Sequence, residues 1–140
     1  MAAIRFLDDD SGFKLRNTRR IASWLVNVAK NEGFTVDSLA YVFCSDKRLL
    51  SMNKKFLSHD SYTDIITFDL SDGIERKICG EIYISIQRVL ENADKFGCVF
   101  NEELHRVLVH GVLHLIGYND KSPREKARMR KKEEACLSLL

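Results

Sequence analysis

Proline is almost missing from the sequence: Pro123 stands alone, and no Ser/Gly-rich linker, repeat or low-complexity tract interrupts the chain. That excludes modules strung on flexible tethers and points to one domain over residues 1–140. No apolar run approaches the roughly 18 residues of a membrane-spanning helix. Asp8, Asp9 and Asp10 stand where a secretory signal would have its apolar centre, so the expectation is a cytoplasmic protein. Cysteine is sparse and scattered. Cys44, Cys79, Cys98 and Cys136 form no C-x-x-C pair, which favours reduced thiols over a disulfide framework or zinc knuckle. Neither sign of charge dominates, with 22 basic and 20 acidic residues, which argues against a histone-like polycation. At 140 residues and 45% hydrophobic content the chain can bury a core without staples, so a metal here would serve chemistry rather than folding.

Alternation around Ile4 and Phe6 predicts a short first strand. Ile21, Trp24, Leu25 and Val28 repeat at three and four, which predicts a helix over residues 15–31 stopped by Gly33. The β-rich run 39–44 leads to Ser45 or Asp46 as the cap of a helix ending near Leu57. Residues 65–68 and 81–86 read as antiparallel strands joined across a polar loop, residues 71–78. Three helices follow, over residues 86–96, 102–116 and 124–139, with Gly97 and Gly117 as stops. The expected class is α+β, a small mixed β-sheet packed with about five helices.

Histidine carries the main chemical signal. His110 and His114 lie four apart on one helical face, as two imidazoles sharing an ion must. His105, five residues before His110, points about 140° away around the helix. Gly117 ends the helix, and the chain can reverse so that Asp120 returns as a third ligand. Two histidines and a carboxylate with one open position describe a catalytic zinc site rather than a closed structural one. Such an ion lowers the pKa of its water and polarises phosphoryl or carbonyl oxygens. The metal site is thus expected on a central helix and the turn after it. Gly111 occupies the position of a zincin protease's glutamate, which disfavours a peptidase.

The segment His110-Gly-Val-Leu-His-Leu-Ile-Gly-Tyr-Asn-Asp120 resembles the signature of the YbeY family, bacterial metal-dependent endoribonucleases of ribosomal RNA maturation, whose motif runs HGxLHLxGYDH. Asn53, Phe56, Asp60, Thr63, Asp64 and Phe68 resemble a further family segment, and Gly80-Glu81-Ile82 its GDI strand. Three positions depart: Asp120 replaces the third histidine, Asn119 an aspartate, and Leu57 an arginine to which phosphate contact is ascribed. His59, Lys54 and Lys55 are the candidates to replace that arginine. The resemblance implies a single-strand endoribonuclease acting in ribosome biogenesis, with zinc on His110, His114 and Asp120 and ribosomal small-subunit components as possible partners.

His59, in a polar segment, is either a solvated loop residue or a general acid or base facing the ion. Between Lys121 and Glu134 basic residues exceed acidic ones, so Arg124, Arg128 and Lys132 join Lys54 and Lys55 as candidate RNA contacts. Metal-bound hydroxide and metal-assisted attack by the ribose 2′-OH both stay open, and the second predicts a 2′,3′-cyclic phosphate end. The competing reading is a non-catalytic ribosome-assembly factor with a structural metal site, and a metallo-hydrolase of small molecules or peptides stands third.

Overall fold

In the computed structural model, residues 3–58 and 61–140 are described. The elements run β1 (Ile4–Asp8), α1 (Thr18–Asn31), β2 (Thr35–Cys44), α2 (Asp46–Leu57), β3 (Ile65–Asp69), β4 (Lys77–Ser85), α3 (Ile86–Phe96), α4 (Phe100–Ile116) and α5 (Pro123–Leu137). The sheet order is β1-β2-β4-β3. β1 and β4 flank β2 in parallel, whereas β3 closes the edge antiparallel to β4. The α+β class, the mixed sheet and the five helices agree with expectation.

Strand alternation sorts the two faces. Leu39, Tyr41 and Phe43 of β2, with Ile78, Ile82 and Ile84 of β4, enter the main core beneath α1 and α4. Cys44 and Ile66 face the other way, into a smaller cluster with Leu49 and Met52 of α2. Ser45 and Ser85 accept hydrogen bonds from the Arg48 and Arg88 amides, which fixes where α2 and α3 begin. The last helix opens on a capping box in which Ser122 and Glu125 satisfy each other's backbone amides, with Pro123 in the first turn.

α4 lies against the sheet through Leu104, Leu108, Val112 and Leu113, all fully buried. The Tyr41 hydroxyl donates to the Leu108 carbonyl at 2.7 Å, tying the helix to the central strand. Gly111 permits the close approach: a Cβ there would stand 2.7 Å from Ile82 Cδ1 and 3.2 Å from Ile65 Cδ1. α5 packs on α4, and the Trp24 indole of α1 donates to the Cys136 carbonyl at 2.8 Å.

Several boundaries differ from expectation. α1 starts at Thr18 rather than Leu15, because Asn17 adopts a left-handed conformation, φ 57°, that helix cannot continue through. β2 begins at Thr35 and β4 at Lys77, because Thr35 and Val36 pair with Lys77 and Ile78, which shortens the polar loop. A register shift between Val36 and Ser38 interrupts the alternation that would have marked this part of β2. α4 starts at Phe100 instead of Glu102, and α5 spans Pro123–Leu137 instead of residues 124–139.

Candidate metal centre

One turn of α4 separates His110 from His114, and their rings lie 5.5 Å apart at 68°. Gly117, at φ 124°, ends the helix; its amide and that of Tyr118 return to carbonyls of the last turn. The chain then reverses. Asp120 comes back with Oδ2 3.3 Å from His110 Nε2 and Oδ1 3.3 Å from His114 Nε2. One ligand atom from each of the three residues falls within 4.8 Å of the others.

The turn carrying Asp120 is pinned from two sides. The Tyr118 hydroxyl donates to Glu32 at the end of α1, and Lys132 of α5 pairs with the same carboxylate at 3.2 Å. The Arg128 guanidinium sits 5.2 Å above the Tyr118 ring. The bond from Tyr118, with Lys132 beside it, holds the Glu32 carboxyl below its usual range although partial burial opposes this.

These donors fit a small divalent ion. Two imidazole nitrogens and a carboxylate are a donor set that zinc takes, and each Nε2 faces its own oxygen of Asp120 at 3.3 Å. The rings also offer the correct nitrogen: His110 Nδ1 is taken by Glu133 Oε2 at 2.6 Å, which leaves Nε2 towards Asp120.

Behind these three side chains lies a charged network. Glu133 of α5 also pairs with Arg106 Nη1 at 3.3 Å, and Arg106 Nε stands 3.9 Å from Glu103 Oε1. Burial raises the Asp64 carboxyl above its ordinary value, against the opposing charge of His110. Burial likewise raises Glu103, reinforced by the Asp64 charge and opposed by Arg106. For His110, burial disfavours the charged ring. The hydrogen bond to Glu133 and the charges of Glu133, Asp120 and Asp64 outweigh that, so its pKa lies above the ordinary value.

The three residues open onto a cleft of about 620 Å³ whose walls include Leu57, Asp64, Arg106, Lys121 and Arg130. The candidate residues distribute unevenly around it. His110, His114 and Asp120 come together; His59 and its neighbour Asp60 lie outside the described residues. Lys54 and Lys55 sit in the last turn of α2, with Lys55 Nζ 5.4 Å from the Phe56 ring centre. Arg128 and Lys132 turn towards Tyr118 and Glu32, and Arg124 is exposed in the first turn of α5; none of the three lines the cleft. The cleft cations are instead Arg106, Lys121 and Arg130, which spacing did not single out. Glu133 was missed as well. Its signal was the stripe Met129, Glu133, Cys136, the buried face of α5, where a carboxylate needs a partner.

A family model described as Endoribonuclease YbeY matches residues 4–140. An Endoribonuclease YbeY of Cytophaga hutchinsonii is 52% identical over 136 residues, covering 97% of this chain and 94% of that one. Another, of Parabacteroides distasonis, is 41% identical over 138 residues, covering 99% and 96%. Among solved structures, a Thermotoga maritima protein determined in solution superposes with a TM-score of 0.62 at 29% identity, over 96% of this chain and 89% of that one.

Proposed function

Because the chain belongs to the Endoribonuclease YbeY family, we propose that it is a zinc-dependent endoribonuclease that cuts single-stranded RNA, with ribosomal RNA as its physiological substrate. One domain over residues 1–140 carries the activity in the cytoplasm, beside ribosomal small-subunit components. His110, His114 and Asp120 hold the ion. When bound, zinc supplies a Lewis acid for a phosphoryl oxygen and lowers the pKa of water at the open position. The convergence of both Nε2 atoms on the one Asp120 carboxylate carries this reading, because two imidazoles and a carboxylate grouped within 4.8 Å are the donor set of a catalytic zinc site.

The remaining roles belong to the cleft walls. Arg106 is committed to Glu133 and Glu103, so it is a support rather than a substrate contact. Lys121, next to the ligand Asp120, and Arg130, one turn before Glu134, are the cleft cations placed to hold RNA phosphates. Leu57 adds an apolar wall where the family motif has arginine, so cationic contact falls to other residues of the cleft.

The test combines metal content with cleavage of a labelled single-stranded RNA by wild type and His114→Ala at equal purity. One zinc per chain in wild type, and cleavage lost with the metal in the variant, are expected. A wild type that holds no divalent ion, or cleavage undiminished in His114→Ala, overturns the proposal. End-group analysis then separates the two routes, since only 2′-OH attack leaves a cyclic phosphate.

A further inference from the structure

Glu133 belongs to another helix than the ligands, and its side chain is only 7% exposed. A carboxylate at that depth has lost its hydration and needs protein partners to replace the water. Arg106 satisfies one oxygen, Oε1, at 3.3 Å. The other oxygen takes its partner from the candidate metal centre: Oε2 sits 2.6 Å from His110 Nδ1. An ionised carboxylate can only accept, so Nδ1 carries the proton in this bond. The lone pair of the neutral ring then lies on Nε2, the nitrogen that faces Asp120 at 3.3 Å.

We infer that Glu133 is a positioning residue of the metal centre: through the Nδ1 proton it fixes the tautomer and ring plane of His110, and Arg106 in turn holds Glu133. Carboxylates behind a ligating imidazole act in this way at metal sites generally, keeping the ring aimed and its donor nitrogen basic. The inference rests on the reading of His110, His114 and Asp120 as ligands. It also makes the site asymmetric. Among the described residues His114 has a polar contact to Asp120 alone, so the constraint falls on one imidazole of the two.

The experiment uses the full chain as wild type, Glu133→Gln and Glu133→Leu. Zinc affinity is measured by competition with a chromophoric chelator, and ring ¹⁵N shifts are recorded on metal-free protein over a pH series, the tautomers being read on the alkaline plateau where the shifts no longer change. A glutamine side chain in this place would keep the shape and the Arg106 contact of the glutamate but can present either an acceptor or a donor to the ring. Wild type is expected to show the Nδ1–H tautomer at His110. Glu133→Gln should bind zinc about 10- to 100-fold more weakly at unchanged stoichiometry and mix the tautomers of His110 while leaving the His114 shifts alone. Glu133→Leu should lose at least as much affinity. Zinc affinity within twofold of wild type in folded Glu133→Gln overturns the inference. So does an Nε2–H tautomer at His110 in wild type, a result that needs no variant to fold. Wild type without zinc affinity fails differently, since it removes the ligand set itself.

Discussion

Replacing Gly111 by alanine isolates how closely the helix of His110 and His114 must lie against the sheet. An added Cβ would stand 2.7 Å from Ile82 Cδ1, 3.2 Å from Ile65 Cδ1 and 3.3 Å from Ile82 Cγ2. The shortest contact is with the end of a side chain, so a turn of Ile82 about its outer bond offers relief. But Ile82 is fully buried, so its methyl would have to turn among core neighbours. Overpacking of this kind costs about 1–3 kcal/mol. Alanine returns about 1 kcal/mol in helix propensity, because a helix-interior glycine is the poorer former. The balance is a loss of about 0–2 kcal/mol, or a fall in Tm of up to about 8 °C for a chain of this size. The second consequence concerns the site. If α4 moves away from β4 to make room, His110 and His114 move with it while Asp120 stays on a turn held by Glu32. Zinc affinity should therefore fall by more than the stability loss predicts. Gly80→Ala supplies the calibration: its Cβ would meet the Phe68 carbonyl oxygen, a backbone atom, at 2.6 Å. No rotamer relieves that contact, so the cost should reach about 3 kcal/mol. Denaturant titration with EDTA and zinc competition give both quantities. A Gly111→Ala protein about 1 kcal/mol more stable than wild type, with unchanged zinc affinity, would refute the tight packing, because propensity alone would then account for it.

Charge reversal at Lys121 and Arg130 should raise the KM for a short single-stranded RNA and flatten its salt dependence by about 0.7 in logarithmic slope per lost phosphate contact. Zinc content should stay at wild type, and Arg124→Glu, outside the cleft, should leave the same assay unmoved; equal effects of all three would remove the assignment. Asp120→Asn keeps the size and loses the charge, so zinc affinity should drop by more than the roughly 100-fold typical of supporting residues, whereas Asp120→His should retain the ion. Dialysis against a graded chelator reads both variants. In the metal-free protein, His110, Asp64 and Glu103 all have pKa values raised above their ordinary 6.5, 3.8 and 4.5. A raised value means the folded state holds its proton longer, so the stability each group contributes is full below its ordinary pKa and is lost as pH rises through the folded value. His105, whose pKa burial lowers, works the other way over the same interval, so the comparison is made in a His105→Gln background: denaturation in EDTA should show higher stability near pH 5.5 than near pH 8, and a rise with pH would contradict the burial and pairing of His110, Asp64 and Glu103.

The parts of the fold that the sequence made legible are those in which local chemistry and tertiary structure agree. Ser45 caps α2 at the position its side chain allows, and the apolar face Ile21, Trp24, Leu25, Val28 turns inward as its spacing requires. His110 and His114 were legible for the same reason, since one helix fixes their relation. The first half of β2 was not, because Asp37 and Ser38 sit where the ladder shifts register and a continuous apolar signal disappears. The RNA contacts chosen from the charge run show a different limit. Charge density ignores helical phase: Arg128 and Lys132, four apart on α5, turn towards Tyr118 and Glu32, whereas Arg130 and Glu133, three apart, turn to the cleft. Glu133 and Asp64 reach His110's surroundings only through tertiary packing, so no spacing rule could place them there.

The site therefore depends on distant elements. α4 supplies two imidazoles, but Asp120 is held through Tyr118 by Glu32 of α1, and His110 is turned by Glu133 of α5, whose end is fastened to α1 by the Trp24 indole. Around His110 alone stand three carboxylates, Glu133, Asp120 and Asp64, and that excess of negative charge must be balanced. Without metal a proton on His110 serves that balance, and the Glu133 hydrogen bond and these charges raise its pKa above the ordinary value despite burial. A divalent ion replaces that proton and adds a charge, so its binding must release protons, and its affinity must climb with pH over the interval in which the metal-free fold weakens. The same groups that make the empty site most stable in mild acid thus make the loaded site strongest above neutrality, and the two pH profiles should cross in opposite directions.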